Sequence, residues 1–196
     1  SGVNPAVIPL TLALCGLFGV FFLPVFLAGC GRRLRADALL WVALIIAALA
    51  ALLIPTVYDQ EAGRYGGLWD LTRHLPAIGH CSMLFPPAAM LGAMVVVFAG
   101  RAAFAAGHGR AATFLLLSLL GWLAAQSCNS EAWQRYCEPI VLIELIWLAS
   151  LAASPVAPGA PRPMRRWWIG PLLLGLVQLA LSGALVYVDA YRSLLG

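Results

Sequence analysis

Six apolar stretches divide the chain, at about 6–29, 39–56, 82–100, 111–127, 139–153 and 169–188. None alternates apolar and polar positions, as barrel strands would. A bilayer core needs roughly 20 apolar residues per helix, and a helix satisfies all of its own backbone groups there. The fifth stretch is short, but Ser154 and the prolines after it can lie in the interface. The pattern therefore predicts an all-α polytopic bundle of about six spans.

The loops between the stretches divide by charge. Arg32, Arg33, Arg35, Arg101, Arg110, Arg162, Arg165 and Arg166 fall on one side; Arg64, Arg73, Arg135 and Arg192 fall on the other. An excess of arginine marks the cytoplasmic side. Both termini are then expected on the outer face. The acids distribute oppositely: Asp37 is inside, whereas Asp59, Glu61, Asp70, Glu131, Glu138 and Asp189 are outside. Acids orient a membrane protein little, so their placement bears on chemistry or solvation. Residues 1–153 read as a five-helix core with outer loops at 57–81 and 128–138. A Pro-rich cytoplasmic linker (154–168) leads to a last span and short outer tail (169–196). The chain starts at Ser1 without a methionine, so a processed or longer parent protein is expected.

Composition strengthens the membrane reading. Of 196 residues, 62% are apolar and 10% charged, and the mean hydropathy is +0.91. A soluble domain has about a quarter charged residues, and this chain could not cover its apolar surface in water. The net charge of +4 resides in topology-setting loops, so nucleic acid is not an expected partner. The partner is membrane lipid, in a multi-pass protein of the plasma (inner) membrane.

Candidate chemistry is confined to the outer loops. The longer one, "VYDQEAGRYGGLWDLTRHLPAIGHC", contains "LWDLTRHL", with Leu68, Leu71 and Leu75 at helical spacing. That predicts a short amphipathic helix in the interface with Trp69 at headgroup depth, serving either as an anchor or as a wall over a site. The second loop, "CNSEAWQRYCEP", packs Glu131, Trp133, Gln134, Arg135, Tyr136 and Glu138 ahead of Pro139, which suits the first turn of the next helix. Trp133 and Tyr136 fit an aromatic belt; Gln134, Arg135 and Glu138 need another explanation. An arginine between aromatic rings is suited to clamp a phosphate or carboxylate with its planar fork.

"PTVYDQEAGRYGGLWDLTRHLP" and "NSEAWQRYCEP" resemble outer loops in the C-terminal half of GT-C class integral-membrane glycosyltransferases. These enzymes depend on polyprenyl-phosphate sugars, and the resemblance spans about residues 50–150. It implies that this chain is the C-terminal membrane portion of such an enzyme, moving a sugar from a lipid-phosphate donor at the outer face. Arg135, Arg64, Arg73 and Gln134 would then meet the donor headgroup, and Trp69, Trp133 and Tyr136 could stack on its sugar. The family's general base maps to no residue here, so catalytic residues are not assigned. The alternative is a non-catalytic scaffold subunit of a larger membrane complex.

Other constellations carry less. His74 and His80 lie too far out of helical register to form a metal pair with Asp70, and no metal or cofactor is expected. His108 reads as a solvated loop residue. Cys128 and Cys137 could close a disulfide across the second outer loop, as an oxidising compartment permits. Glu144 is the one acid deep within an apolar run and must face protein or water. Gly92 and Gly121 are expected to allow close helix contacts.

Overall fold

The computed structural model describes residues 2–30, 38–154, 156 and 168–195. The arginines at 32, 33, 35, 162, 165 and 166 and most of the 154–168 linker lie outside the described residues. The described chain is mainly helical: α1 (Val7–Gly19), α2 (Leu23–Cys30), α3 (Ala38–Leu53), α4 (Leu68–Thr72), α5 (Phe85–Ala105), α6 (Gly109–Ser127), α7 (Gln134–Ala153) and α8 (Ile169–Leu195). A two-residue ribbon, β1 (Ala77–Ile78) antiparallel to β2 (Cys81–Ser82), precedes α5.

α5, α6 and α7 are long and apolar enough to cross a membrane, and the α1–α2 pair makes a fourth if counted as one span. α3 and the apolar part of α8 (Ile169–Ala184) are shorter. Their outward faces still carry large apolar side chains: Trp41, Phe114, Trp147 and Leu179 are 60%, 71%, 57% and 71% exposed on α3, α6, α7 and α8. Surface of that extent suits hydrocarbon and not water.

The expected single span at 6–29 is broken. α1 and α2 meet at 87°. Between them the amides of Phe21, Phe22 and Leu23 bond carbonyls three residues back, at 3.2, 2.9 and 3.3 Å, which tightens the winding. Pro24 then offers no amide to resume the α-helical ladder. Beyond the elbow the chain continues away from its start and does not return. Gly16 packs on the backbone of Ala88 and Gly92, whereas Gly29 packs on Ala102 and Cys30 Sγ donates to Phe98 O at 3.3 Å. The pair therefore follows α5 downward as a bent crossing element.

α5 is the central helix and packs against α1, α2, α3, α6 and α7. Its closest approach is to α1, where a Cβ on Gly92 would collide with Leu12 O. Gly121 has nothing within reach of a Cβ, so its expected packing role does not hold. α8 meets the bundle by its first turns: a Cβ on Gly170 would strike Phe21 O at the elbow, and Leu174 is buried.

The two ends of the bundle differ. At one, called the cap end below, the starts of α1, α5 and α7 gather with the ends of α3 and α6. At the other, the α5–α6 turn is tied to the end of α7. His108 Nε2 lies within hydrogen-bond distance of Ser154 O (2.6 Å), and Val156 N donates to Ala106 O (2.8 Å). His108 is thus a tie and not simply a solvated residue.

Candidate functional site

Both sequence-predicted outer loops lie at the cap end and form one structure. Its framework begins in residues 58–64. Asp59 and Arg64 exchange backbone hydrogen bonds (3.0 and 2.8 Å) and a salt bridge of 2.8 Å. Arg64 Nη1 also donates to Pro55 O at 2.8 Å, fixing the loop to the end of α3. Gly63 turns this loop with φ 67°, and a side chain there would collide with the Trp133 indole. Glycine is required twice over, by backbone conformation and by space.

Asn4, which the sequence reading did not single out, joins three segments. Its Nδ2 donates to Ala62 O (2.9 Å) and Ser130 O (3.1 Å), its Oδ1 accepts from Ala6 N (3.3 Å), and its backbone amide donates to Ser127 O (2.9 Å). Ala132 N donates to Ala62 O at 3.2 Å and joins the two loops directly. An asparagine before a proline commonly bonds its own backbone two residues on, and this was the one local signal available.

α4 is turned differently from the predicted amphipathic helix. Leu68, Trp69 and Thr72 are buried, whereas Leu71 and Leu75 are exposed. The Trp69 indole has no exposed surface, donates to Ala132 O at 3.0 Å and packs on Phe85 with ring centroids 4.9 Å apart. Burying that ring outweighs burying the smaller Leu71 and Leu75 side chains. Trp69 is a pillar beneath the cap and has no face left for a sugar.

α7 begins at Gln134, so Pro139 lies inside it and not at its first position. The segment expected as loop is therefore partly helical, and residues four apart share a face. Gln134 exploits this: its amide donates to Glu138 and accepts from Leu68 N at 2.6 Å, linking α7 to α4. Gln134 holds the cap together from within the site.

Above this frame is an open cavity of about 240 Å³, lined by Tyr65, Gly66, Gly67, Trp133, Gln134, Arg135 and Glu138. Trp133 and Tyr136 stack at 5.4 Å with an interplanar angle of 4°, and Tyr65 meets Trp133 edge-on at 5.8 Å. The Arg135 guanidinium lies 3.9 Å over the Trp133 ring and 5.1 Å from Tyr136. Its hydrogen bond to a side chain is a long contact to Tyr136 OH (3.5 Å), and it forms no ion pair with Glu131 or Glu138. The ring holds the guanidinium plane while its N–H edge stays available.

The other two arginines are placed differently. Arg64 is mostly buried and engaged by Asp59 and Pro55. Arg73 lies 4.2 Å over the Tyr58 ring, outside the cavity lining. Of the residues expected at a ligand, the structure thus brings together Arg135, Gln134 and Trp133, with Tyr136 stacked behind. Tyr65, Gly66, Gly67 and Glu138 join them without having been anticipated as ligand contacts.

Cys128 and Cys137 are free thiols here. Cys128 is exposed just after α6, whereas Cys137 is buried in the first turns of α7 with its Sγ near Trp133 O (3.5 Å). The expected bridge is not formed, because extending α7 back to Gln134 turns Cys137 into the core. Glu144 is also buried, at 4% exposure, with Oε2 lacking a hydrogen-bond partner among the described residues. Comparison with protein-family models, curated proteins and solved structures found no match.

Proposed function

We propose that the cap binds the phosphorylated, hydroxyl-rich headgroup of an amphiphilic lipid at the outer membrane face, as the likeness to GT-C glycosyltransferases implies. The observation that carries this reading is Arg135: its guanidinium is held flat on Trp133 at the mouth of a cavity, without a carboxylate partner among the described residues. A guanidinium so placed accepts two phosphate oxygens through parallel charge-assisted bonds. Across the cavity, Glu138 and the Gly66–Gly67 backbone offer partners for hydroxyl groups. The Tyr65 and Trp133 rings suit the apolar face of a sugar.

Size favours a headgroup over a whole ligand. Usual small-molecule cavities span ~300–1,000 Å³, and this one, at about 240 Å³, leaves a hydrocarbon tail outside in lipid. In the full reading six spans cross the membrane. α3 and α8 tilt little and rely on interfacial residues, and the cap faces outward because Arg101 and Arg110 lie at the opposite end. The chain would supply the wall and headgroup contacts of a lipid-linked sugar transferase, its general base lying outside these residues. The scaffold reading is favoured instead by how many cap groups, Asn4, Arg64 and Gln134 among them, are engaged internally.

Binding of a polyprenyl phosphate to the purified protein, compared with the dephosphorylated polyprenol, separates these readings. A charge-assisted contact contributes about 1.5–3 kcal/mol, so Arg135→Ala should weaken phosphate-dependent binding about 10- to 150-fold. Arg135→Lys restores charge without the fork and should recover part of the loss. Unchanged affinity with lowered thermal stability in Arg135→Ala would favour the scaffold.

A further inference from the structure

A second cleft runs down the opposite flank of the cap, between α3 and α6. Its lower part is an apolar groove of about 540 Å³ floored by Ile8 and Leu12 of α1 and Ala93 of α5, with Ala43, Ala47 and Leu120 on its walls. The small side chains of Ala43, Ala47 and Ala93 create the depth. At the cap end, the segments flanking α1, α3 and α6 border a polar cavity of about 480 Å³, whose lining includes Asn4 and Ala6 before α1, Ile54 after α3, Ser130 after α6, and Glu61. On α1 the two spaces are less than one turn apart, from Ala6 to Ile8. On the α3 and α6 sides they are separated by seven residues, Ala47 to Ile54 and Leu123 to Ser130, with Ile54 and Ser130 beyond the helix ends.

We infer that this cleft holds one membrane lipid with an amine-bearing zwitterionic headgroup, its chain in the α3–α6 groove and its ammonium beside Glu61. The site is separate from the Arg135 cavity and does not rest on the function proposed for it. An apolar space whose upper end comes within one turn of a polar space on the α1 side, at the bundle end, matches an amphiphile. A further transmembrane helix would fill the groove but bring no headgroup to the polar cavity. Charge selects the headgroup. Arg64 and Asp59, which also line the cavity, neutralise each other at 2.8 Å. Glu61 is exposed and forms no ion pair among the described residues, which leaves a net negative cavity. An ammonium is attracted there and a purely anionic headgroup repelled.

Native mass spectrometry of the whole protein, delipidated and then returned to nanodiscs of equal phosphatidylethanolamine and phosphatidylglycerol, tests the inference. One phosphatidylethanolamine should survive release from the nanodisc, and its preference over phosphatidylglycerol should fall up to about fivefold in Glu61→Gln, the range of an exposed charge pair. Ala43→Phe, which fills the groove, should abolish retention. Leu120→Trp narrows it from an exposed wall, carries less folding risk, and should reduce retention likewise. Trp147→Leu, on the exposed face of α7 and outside the lining of the groove and of both cavities, should leave phosphatidylethanolamine retention unchanged. Retention unaffected by both groove variants would mean an unspecific lipid shell and overturn the site. Equal retention of both lipids, insensitive to Glu61→Gln, would overturn the headgroup assignment. A dimer that forms on delipidation and is blocked by Leu120→Trp would give the groove to a second copy and overturn the lipid.

Discussion

Asn4 and Trp69 hold the candidate site without touching it. Asn4 donates to the carbonyls of Ala62 and Ser130 and accepts from Ala6 N; without its side chain Ala62 O keeps the Ala132 amide, whereas Ser130 O and Ala6 N lose the Asn4 side chain as a partner. Asn4→Ala should therefore destabilise the protein by about 1–3 kcal/mol, the cost of leaving buried groups unpaired. Thermal unfolding in detergent reads this directly. Trp69→Phe keeps the aromatic contact with Phe85 but strands Ala132 O, and should cost about 1–2 kcal/mol. If Trp69 instead served as a sugar platform, the same variant would lower affinity and leave stability unchanged. Arg135 was legible in the sequence because an arginine between two aromatics is a local signal. The fate of Trp69 was not, since its partners, Ala132 and Phe85, are 63 and 16 residues away in sequence.

Among the helices, the α1–α5 contact sets the architecture. Gly16 and Gly92 let the two backbones touch, and this contact positions the elbow that sends α2 along the lower half of α5. Gly92→Ala forces a Cβ into Leu12 O, a rigid backbone atom, and should cost about 1–3 kcal/mol or more. Gly121→Ala, on an open helix face, should be neutral or slightly stabilising because alanine has the higher helix propensity. Unfolding both variants side by side distinguishes packing from propensity. The elbow itself was hidden because Phe21 and Phe22 are as apolar as a continuous span requires, with Pro24 the sole local sign. The start of α7 was misplaced for a related reason: Pro139 suits a first turn, but the Gln134–Glu138 and Gln134–Leu68 bonds extend the helix one turn earlier. On the α1–α7 seam, Thr11, Cys15, Cys137 and Glu144 are all buried, and Glu144 Oε2 has no hydrogen-bond partner among the described residues. Replacing a buried unpartnered polar group by an apolar one of similar size is neutral or stabilising. Glu144→Leu should accordingly unfold at or above the wild-type temperature. A fall of several degrees would mean that Glu144 has a partner in the membrane.

For the molecule as a whole, a mainly helical fold with helices long and apolar enough to cross a membrane was legible from apolar run lengths alone, because that signal needs no tertiary contact. Lumped hydropathy could not resolve which runs bend and which stay straight. The orientation we propose from charge is testable: a cap facing outward should let a membrane-impermeant maleimide label the exposed Cys128 in intact cells. In a Cys30→Ser, Cys81→Ser, Cys128→Ser background, an added Ala105→Cys thiol should label only after permeabilisation; the reverse pattern would invert the protein. The central claim is that the Arg135–Trp133 cavity holds a phosphorylated lipid headgroup. Photo-crosslinking tests it most directly, using a polyprenyl phosphate whose reactive group is attached beside the phosphate, with adduct sites mapped by mass spectrometry. The account predicts adducts within residues 65–67 and 133–138, lost in Arg135→Ala and suppressed by excess unlabelled polyprenyl phosphate. Adducts confined to the outward faces of α3 or α8, unchanged by Arg135→Ala, would contradict it.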